Sequence, residues 1–279
     1  MNRKIKTAVK GFRTKDGAGV SLVRVLGHET IEEFDPFLML DSFDSINPDD
    51  YTAGFPLHPH RGIETISYVY KGKMVHKDSL GNEASVGDGE VQWMNSGSGI
   101  MHEELVPAAD RLLGIQLWLN LPAKDKMSKP SYQSITNSEI QEFNIEGGML
   151  RLLAGNYKQY QGHQGDFLPL DYYDIHLNTN SNITLETKED ASIVLFTLMG
   201  EAYVDGQLIE EKTAVKLTQG STLTIETKDS NAQVLFLSSL ALNESVAWAG
   251  PVVMNSEEEL KQAFNELNNN TFIKEKADY

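Results

Sequence analysis

The 279-residue chain contains no cysteine. That excludes disulfide bridges, zinc–thiolate clusters, iron–sulfur centres and thiol catalysis. It also suits a reducing compartment, and a cytoplasmic location is expected. Basic residues are few, 24 against 40 acidic ones, for a net charge of −16. The imbalance is uneven: residues 1–130 hold 15 basic and 18 acidic side chains, residues 131–279 hold 9 and 22. An acidic surface repels phosphate backbones, so no direct nucleic-acid binding is expected. Long apolar runs are missing too. None approaches the ~18 residues of a membrane helix, and the basic start MNRKIKTAVK has no apolar stretch behind it. The expectation is no membrane association.

What remains is an ordinary globular balance, 40% hydrophobic and 23% charged, at a length that suggests about two domains. Short runs rich in β-branched and aromatic residues recur between glycine, asparagine and aspartate turns. They include Val20 to Leu26, Ile63 to Tyr70, Gly89 to Met94 and Leu112 to Leu119. The series resumes at Asp174 to Leu177, Ile193 to Met199, Ala202 to Val204, Ala214 to Leu217, Ser221 to Glu226 and Gln233 to Leu237. The pattern predicts an all-β sandwich or barrel. One helix is predicted near the end: Ser256 and Glu259 form a capping box, and Leu260, Ala263, Phe264 and Leu267 make one apolar stripe. The charged, proline-bounded stretch Pro122 to Pro130 reads as a bridge between two β domains, residues 1–130 and 131–279. Asn265 to Asn270 and the charged tail after Phe272 read as a fraying end. YVYKGKMV at 68–75 and TLMGEAYV at 197–204 share a strand–glycine–strand pattern, a faint sign of two related barrels.

Only seven histidines exist, and three fall into two same-face pairs. On a strand, residues i and i+2 point to one side. His58-Pro59-His60 therefore offers two imidazoles together, and His102-Glu103-Glu104 an imidazole and a carboxylate. Brought together inside a barrel, His58, His60, His102 and Glu104 can converge on one cation. Imidazole suits iron, copper, nickel and zinc, and the carboxylate biases the set toward iron and similar ions. Gly54, Gly62, Gly97 and Gly99 flank the pairs and permit tight turns. Glu64 shares parity with His60 and competes with Glu104 for the carboxylate role; spacing alone leaves that open. His76 is a candidate to line a cavity. His28, His163 and His176 read as solvated or core-edge residues. Positions corresponding to the site in the second half, near Glu186 and Gln233, carry no histidine pair, which predicts a metal-free second barrel.

With these residues in view, the chain resembles the pirins, two-domain members of the cupin superfamily. The resemblance is carried by DPFLML (35–40), GFPLHPHRGIETIS (54–67), VQWMNSGSGIMHEE (91–104), GIQLWLNL (114–121) and GPVVMN (250–255). It is dense over residues 35–135 and thin over 140–245. It implies two cupin-type jelly-roll barrels (double-stranded β-helices) with a C-terminal helix. One divalent metal would sit in the N-terminal barrel on His58, His60, His102 and Glu104, resolving the carboxylate question toward Glu104. Iron(II) is the expected metal; copper, manganese, cobalt, nickel and zinc are alternatives. Two functions follow from the resemblance. One is cleavage of quercetin and related flavonols by dioxygen with release of carbon monoxide. There the metal acidifies the flavonol 3-hydroxyl, and Glu104, or a nearby carboxylate such as Glu103, takes the proton. Phe43, Phe55, Met94 and Met101 are candidate apolar walls. The other is a metal-dependent regulatory role through protein partners, with the acidic second half as a docking face. An open apolar cavity above the metal would favour the enzyme.

Overall fold

A computed structural model describes residues 1–275. The fold is all-β, with strands throughout and one long helix, Glu257–Asn268. No helix among the described residues is long and apolar enough to cross a membrane.

The chain divides into two compact units. One holds Arg13–Ile31, Phe37–Thr136 and the chain from Leu242 onward; the other holds Met1–Phe12, Glu32–Pro36 and Asn137–Ala241. In the first, a seven-stranded sheet runs Ser131–Ile135, Glu90–Asn95, Ile63–Lys71, Leu112–Asn120, Phe37–Ser45, Val20–Leu26, Phe12–Asp16. Leu112–Asn120 lies at its centre with all nine residues buried. A four-stranded sheet runs Phe55–His60, Ile100–Leu105, Met74–Asp78, Glu83–Val86. Val20, Leu22, Phe43 and Val69 from the first sheet pack with Phe55, Met74 and Val86 from the second. Each such side chain contributes about 1.5–3 kcal/mol when fully buried.

The second unit repeats the plan. Its seven-stranded sheet runs Ile5–Lys10, Thr213–Leu217, Ser192–Gly200, Ala232–Ser239, Asp171–Leu177, Gly148–Ala154, Gln141–Ile145. Asn182–Glu186, Thr222–Glu226, Ala202–Val204 and Gln207–Ile209 make its four-stranded sheet. Its hydrophobic core packs Leu150, Ile175, Leu195 and Val234 against Ile183, Val204, Leu223 and Ile225. The shared plan explains the faint repeat between 68–75 and 197–204.

The units do not divide at residue 130. Strand Ile5–Lys10 pairs with Thr213–Leu217 and belongs with residues 137–241, while the helix and strand Ser131–Ile135 belong with the histidine-bearing unit. The stretch 122–130 is no linker. Lys126 is buried there, donating from Nζ to Gly62 O at 2.8 Å and to Asn120 Oδ1 at 2.5 Å. The expected fraying end is also displaced. The helix runs through Asn268, and Phe272 is buried against Ala263 and Leu260. Residues 276–279 of the predicted tail lie outside the described residues. The helix start is as predicted, with Ser256 and Glu259 closing the capping box.

Candidate metal centre

The four-stranded sheet builds the site. Phe55–His60 and Ile100–Leu105 are antiparallel neighbours with His102 opposite His58 and Ile100 opposite His60. A bulge then places Glu104 opposite Phe55. Parity turns His58 and His60, and likewise His102 and Glu104, to one face. One ring nitrogen each from His58, His60 and His102 lies within 4.8 Å of the others. His58 Nε2 is 3.0 Å from His60 Nε2 and 3.0 Å from His102 Nε2.

The second nitrogen of each ring is held from behind. His58 Nδ1 lies 2.8 Å from Pro56 O, and His60 Nδ1 3.2 Å from Pro251 O. A carbonyl oxygen only accepts, so both rings carry their proton on Nδ1 and turn a bare Nε2 inward. Protonating the rings further would separate these lone pairs with a hydrogen, but burial opposes it. Burial, reinforced by His58, pushes His60 down to about 3; burial lowers His58 and holds His102 well below the usual range. Two bare nitrogens 3.0 Å apart call for a cation between them. Their separation matches two ligands at about 90° with metal–nitrogen bonds of about 2.1 Å, whereas a tetrahedral pair would stand about 3.4 Å apart. The donor set and spacing fit a first-row divalent metal.

His102 is oriented by a side-chain relay. His76 Nε2 donates to Asp78 Oδ2 at 2.8 Å, and His76 Nδ1 lies 3.3 Å from His102 Nδ1. With its proton given to Asp78, His76 presents a lone pair to His102 Nδ1–H, which leaves His102 Nε2 bare. Tyr132 stacks on His76 at 4.0 Å, clamping its plane. His76 thus lies behind a candidate ligand, buried, and does not line the cavity. Its partner was readable in the same i, i+2 spacing, as His76-Lys77-Asp78.

Glu104 is 1% exposed and stands outside the convergent histidine set. Gln92 Nε2 donates to its Oε1, and its Oε2 has no hydrogen-bond partner among the described residues. Burial raises this carboxyl to about 7, against the lowering effect of Gln92. Glu64 does not compete. Gly62, at φ +79°, turns the chain between His60 and Ile63, so parity is not carried across, and Glu64 Oε1 accepts from Trp93 Nε1 at 2.9 Å. Glu103 is on the opposite face of its strand from His102 and Glu104.

A cavity of about 510 Å³ opens onto His58 and His60. Its apolar walls are Met39, Phe55, Trp118 and Trp248; Arg24, Asp41 and Gln116 form a polar side. The Trp118 ring meets His60 edge-on at 5.0 Å, and Trp248 stacks on His28 at 3.9 Å. Of the apolar candidates, Phe55 lines this space. Phe43 is core, Met94 is buried, and Met101 is not in the cavity wall. His28, read as a solvated or core-edge residue, is part of the wall. Sequence reasoning missed Gln116, Trp118 and Trp248 as wall residues; Gln116 is the one polar side chain inside the apolar run Leu112–Leu119, and Trp248 had no local signal.

An all-β chain of two jelly-roll-like units, one bearing a largely buried three-histidine cluster beside a cavity, defines a bicupin with a candidate metal site. Sequence models of the Pirin family match residues 19–119, and of the Pirin C-terminal cupin domain residues 172–273. A pirin-like protein of Caulobacter vibrioides is 38% identical over 97% of this chain and 99% of its own. Human Pirin is 30% identical over 96% and 93%. A solved quercetin 2,3-dioxygenase from Acinetobacter baumannii superposes with a TM-score of 0.90 at 30% identity, covering 98% of this chain and 99% of that one. The chain belongs to the pirin family.

Proposed function

We propose that His58, His60, His102 and Glu104 hold one divalent metal, iron(II) first among the alternatives, and that the protein cleaves flavonols with dioxygen. The observation that carries this reading is the aromatic-walled cavity of about 510 Å³ above the histidines. Its size falls in the range of small-molecule sites. A protein that uses its metal only to shape a surface needs no such space.

A metal held there supplies Lewis acidity toward an enolic hydroxyl. The chain's own residues do the rest. Trp118, Trp248, Met39 and Phe55 give a planar ring system an apolar wall and keep water from it. Glu104, with Oε1 held by Gln92, accepts the flavonol 3-hydroxyl proton at Oε2. The electron-rich anion then takes up both atoms of dioxygen, the central ring opens to an ester, and carbon monoxide leaves. The similarity to a solved quercetin 2,3-dioxygenase supports this chemistry; the similarity to human Pirin keeps a regulatory protein as the competing reading.

The test is turnover on metal-defined protein. Metal-stripped protein is reloaded separately with iron(II), copper, manganese, cobalt, nickel and zinc, quercetin is added in air, and loss of its visible band is followed with carbon monoxide release. The expected result is metal- and oxygen-dependent turnover that vanishes in His102→Ala. Stoichiometric metal binding with no turnover on any metal overturns the enzyme and favours the regulatory reading.

A further inference from the structure

One row of polar side chains starts in the cavity wall, at Arg24, Asp41 and Gln116, and continues behind it. Arg24 stands opposite Asp41, Asp41 opposite Gln116, Gln116 opposite Ser67, and Ser67 opposite Gln92, each on the next strand of the seven-stranded sheet. Gln92 then reaches across to Glu104. Six polar residues in one row are a costly arrangement where groups stay unmatched, and the hydrogen bonds of Gln92, Ser67 and Gln116 run in one direction.

The direction starts at the metal centre. Gln92 Nε2 donates to Glu104 Oε1, so Gln92 turns its NH₂ toward Glu104. The same Nε2 lies 3.4 Å from Ser67 Oγ, and Ser67 Oγ donates to Gln116 Oε1 at 3.1 Å. With its oxygen taken, Gln116 presents its NH₂ to the cavity. That nitrogen has no hydrogen-bond partner among the described residues, although the side chain is only 7% exposed. At the other end of the row Arg24 forks onto Asp41, Nε to Oδ1 at 2.9 Å and Nη2 to Oδ2 at 2.7 Å, and Nη2 also meets Asp16 at 2.6 Å. Arg24 Nη1 has no hydrogen-bond partner among the described residues. Both carboxylates hold the guanidinium in place, so Asp41 acts as a positioning residue for it.

The cavity therefore offers bare acceptor nitrogens at one side and bare donors at the other. Gln116 and Trp118 are same-face neighbours on one strand, about 7 Å apart, and Trp118 touches His60. The donors lie roughly one aromatic ring beyond the histidines.

We infer that Gln116 and Arg24 form a donor subsite for oxygens on the part of the substrate remote from the metal. The natural substrate is then a planar aromatic with at least one acceptor oxygen, phenolic or carbonyl, beyond the pair that meets the metal. This rests on the flavonol reading above.

Equilibrium binding tests it without turnover, on protein loaded with redox-inactive zinc and kept anaerobic. Two probes are compared by quenching of tryptophan fluorescence: quercetin, hydroxylated on both outer ring systems, and 3-hydroxyflavone, which keeps the metal-binding pair and lacks the other hydroxyls. The expected result is a roughly tenfold preference for quercetin that collapses in Gln116→Leu while 3-hydroxyflavone is unaffected. Ser67→Ala, which frees Gln116 to flip, lowers the preference partway. A preference that survives Gln116→Leu, or equal loss for both probes, overturns the subsite and leaves the flavonol reading standing. No binding of either probe to the unmodified protein overturns the flavonol reading itself, and the subsite with it.

Discussion

At the scale of single residues, the candidate metal centre is an exercise in fixing tautomers. Pro56 O, Pro251 O and the Asp78–His76 pair each occupy the rear nitrogen of one imidazole. Supports of this kind orient a ligand and raise its basicity. Asp78→Asn is expected to weaken metal binding by roughly 10–100-fold without unfolding the barrel; competition with a chelator measures it. Gly62 is the tightest backbone contact nearby. Its φ of +79° is left-handed, and a Cβ there would sit 1.9 Å from Val253 O. Gly62→Ala is expected to cost about 2–4 kcal/mol, read from denaturant midpoints, because both the turn and the neighbouring segment must shift. The same variant should lose metal affinity, since Pro251 lies two residues from that contact.

At the scale of elements, the strand carrying the histidines is held by the helical segment. Arg61, next to His60, donates from Nη2 to Glu266 Oε2 at 2.7 Å and to Phe272 O at 3.0 Å, with its guanidinium over the Phe272 ring. Burial works against the Glu266 carboxylate, but hydrogen bonds from Gln262, Lys274 and Arg61 outweigh it and bring the pKa down to about 2. A depressed carboxylate stabilises the fold fully above its unfolded pKa of about 4.3 and loses that contribution as pH falls toward 2. Glu266→Gln should therefore melt below the unmodified protein at pH 6–7, with the gap closing between pH 4.5 and 2. A gap that is constant with pH would refute the account. Elements also divide what sequence can and cannot reveal. His58/His60 and His102/Glu104 were legible because two-residue alternation fixes facing within any strand. The capping box at Ser256 and the strand Val20–Leu26 were legible for the same local reason. Spacing left Glu64 open beside Glu104, because parity does not survive the Gly62 turn. Pro251, Trp248 and Arg61's partners were beyond reach, since their roles depend on which distant segments fold together.

At the scale of the molecule, neither unit is a continuous piece of chain. Arg3 shows how firmly the first residues belong with residues 137–241. It is fully buried and donates to Thr187 Oγ1 and to the carbonyls of Lys188, Glu189, Ala191 and Thr218. Arg3→Ala strips five acceptors of their donor and is expected to cost about 3–5 kcal/mol in urea unfolding. An expression fragment starting at residue 131 should fail to fold for the same reason.

The contact between His60 and Pro251 spans 191 positions of chain. During synthesis at about 5–20 residues per second, His60 leaves the ribosome some ten to forty seconds before the carbonyl that sets its proton. Throughout that interval its imidazole is free to exchange tautomers. The candidate site is therefore completed late in translation, only after the chain has reached Pro251.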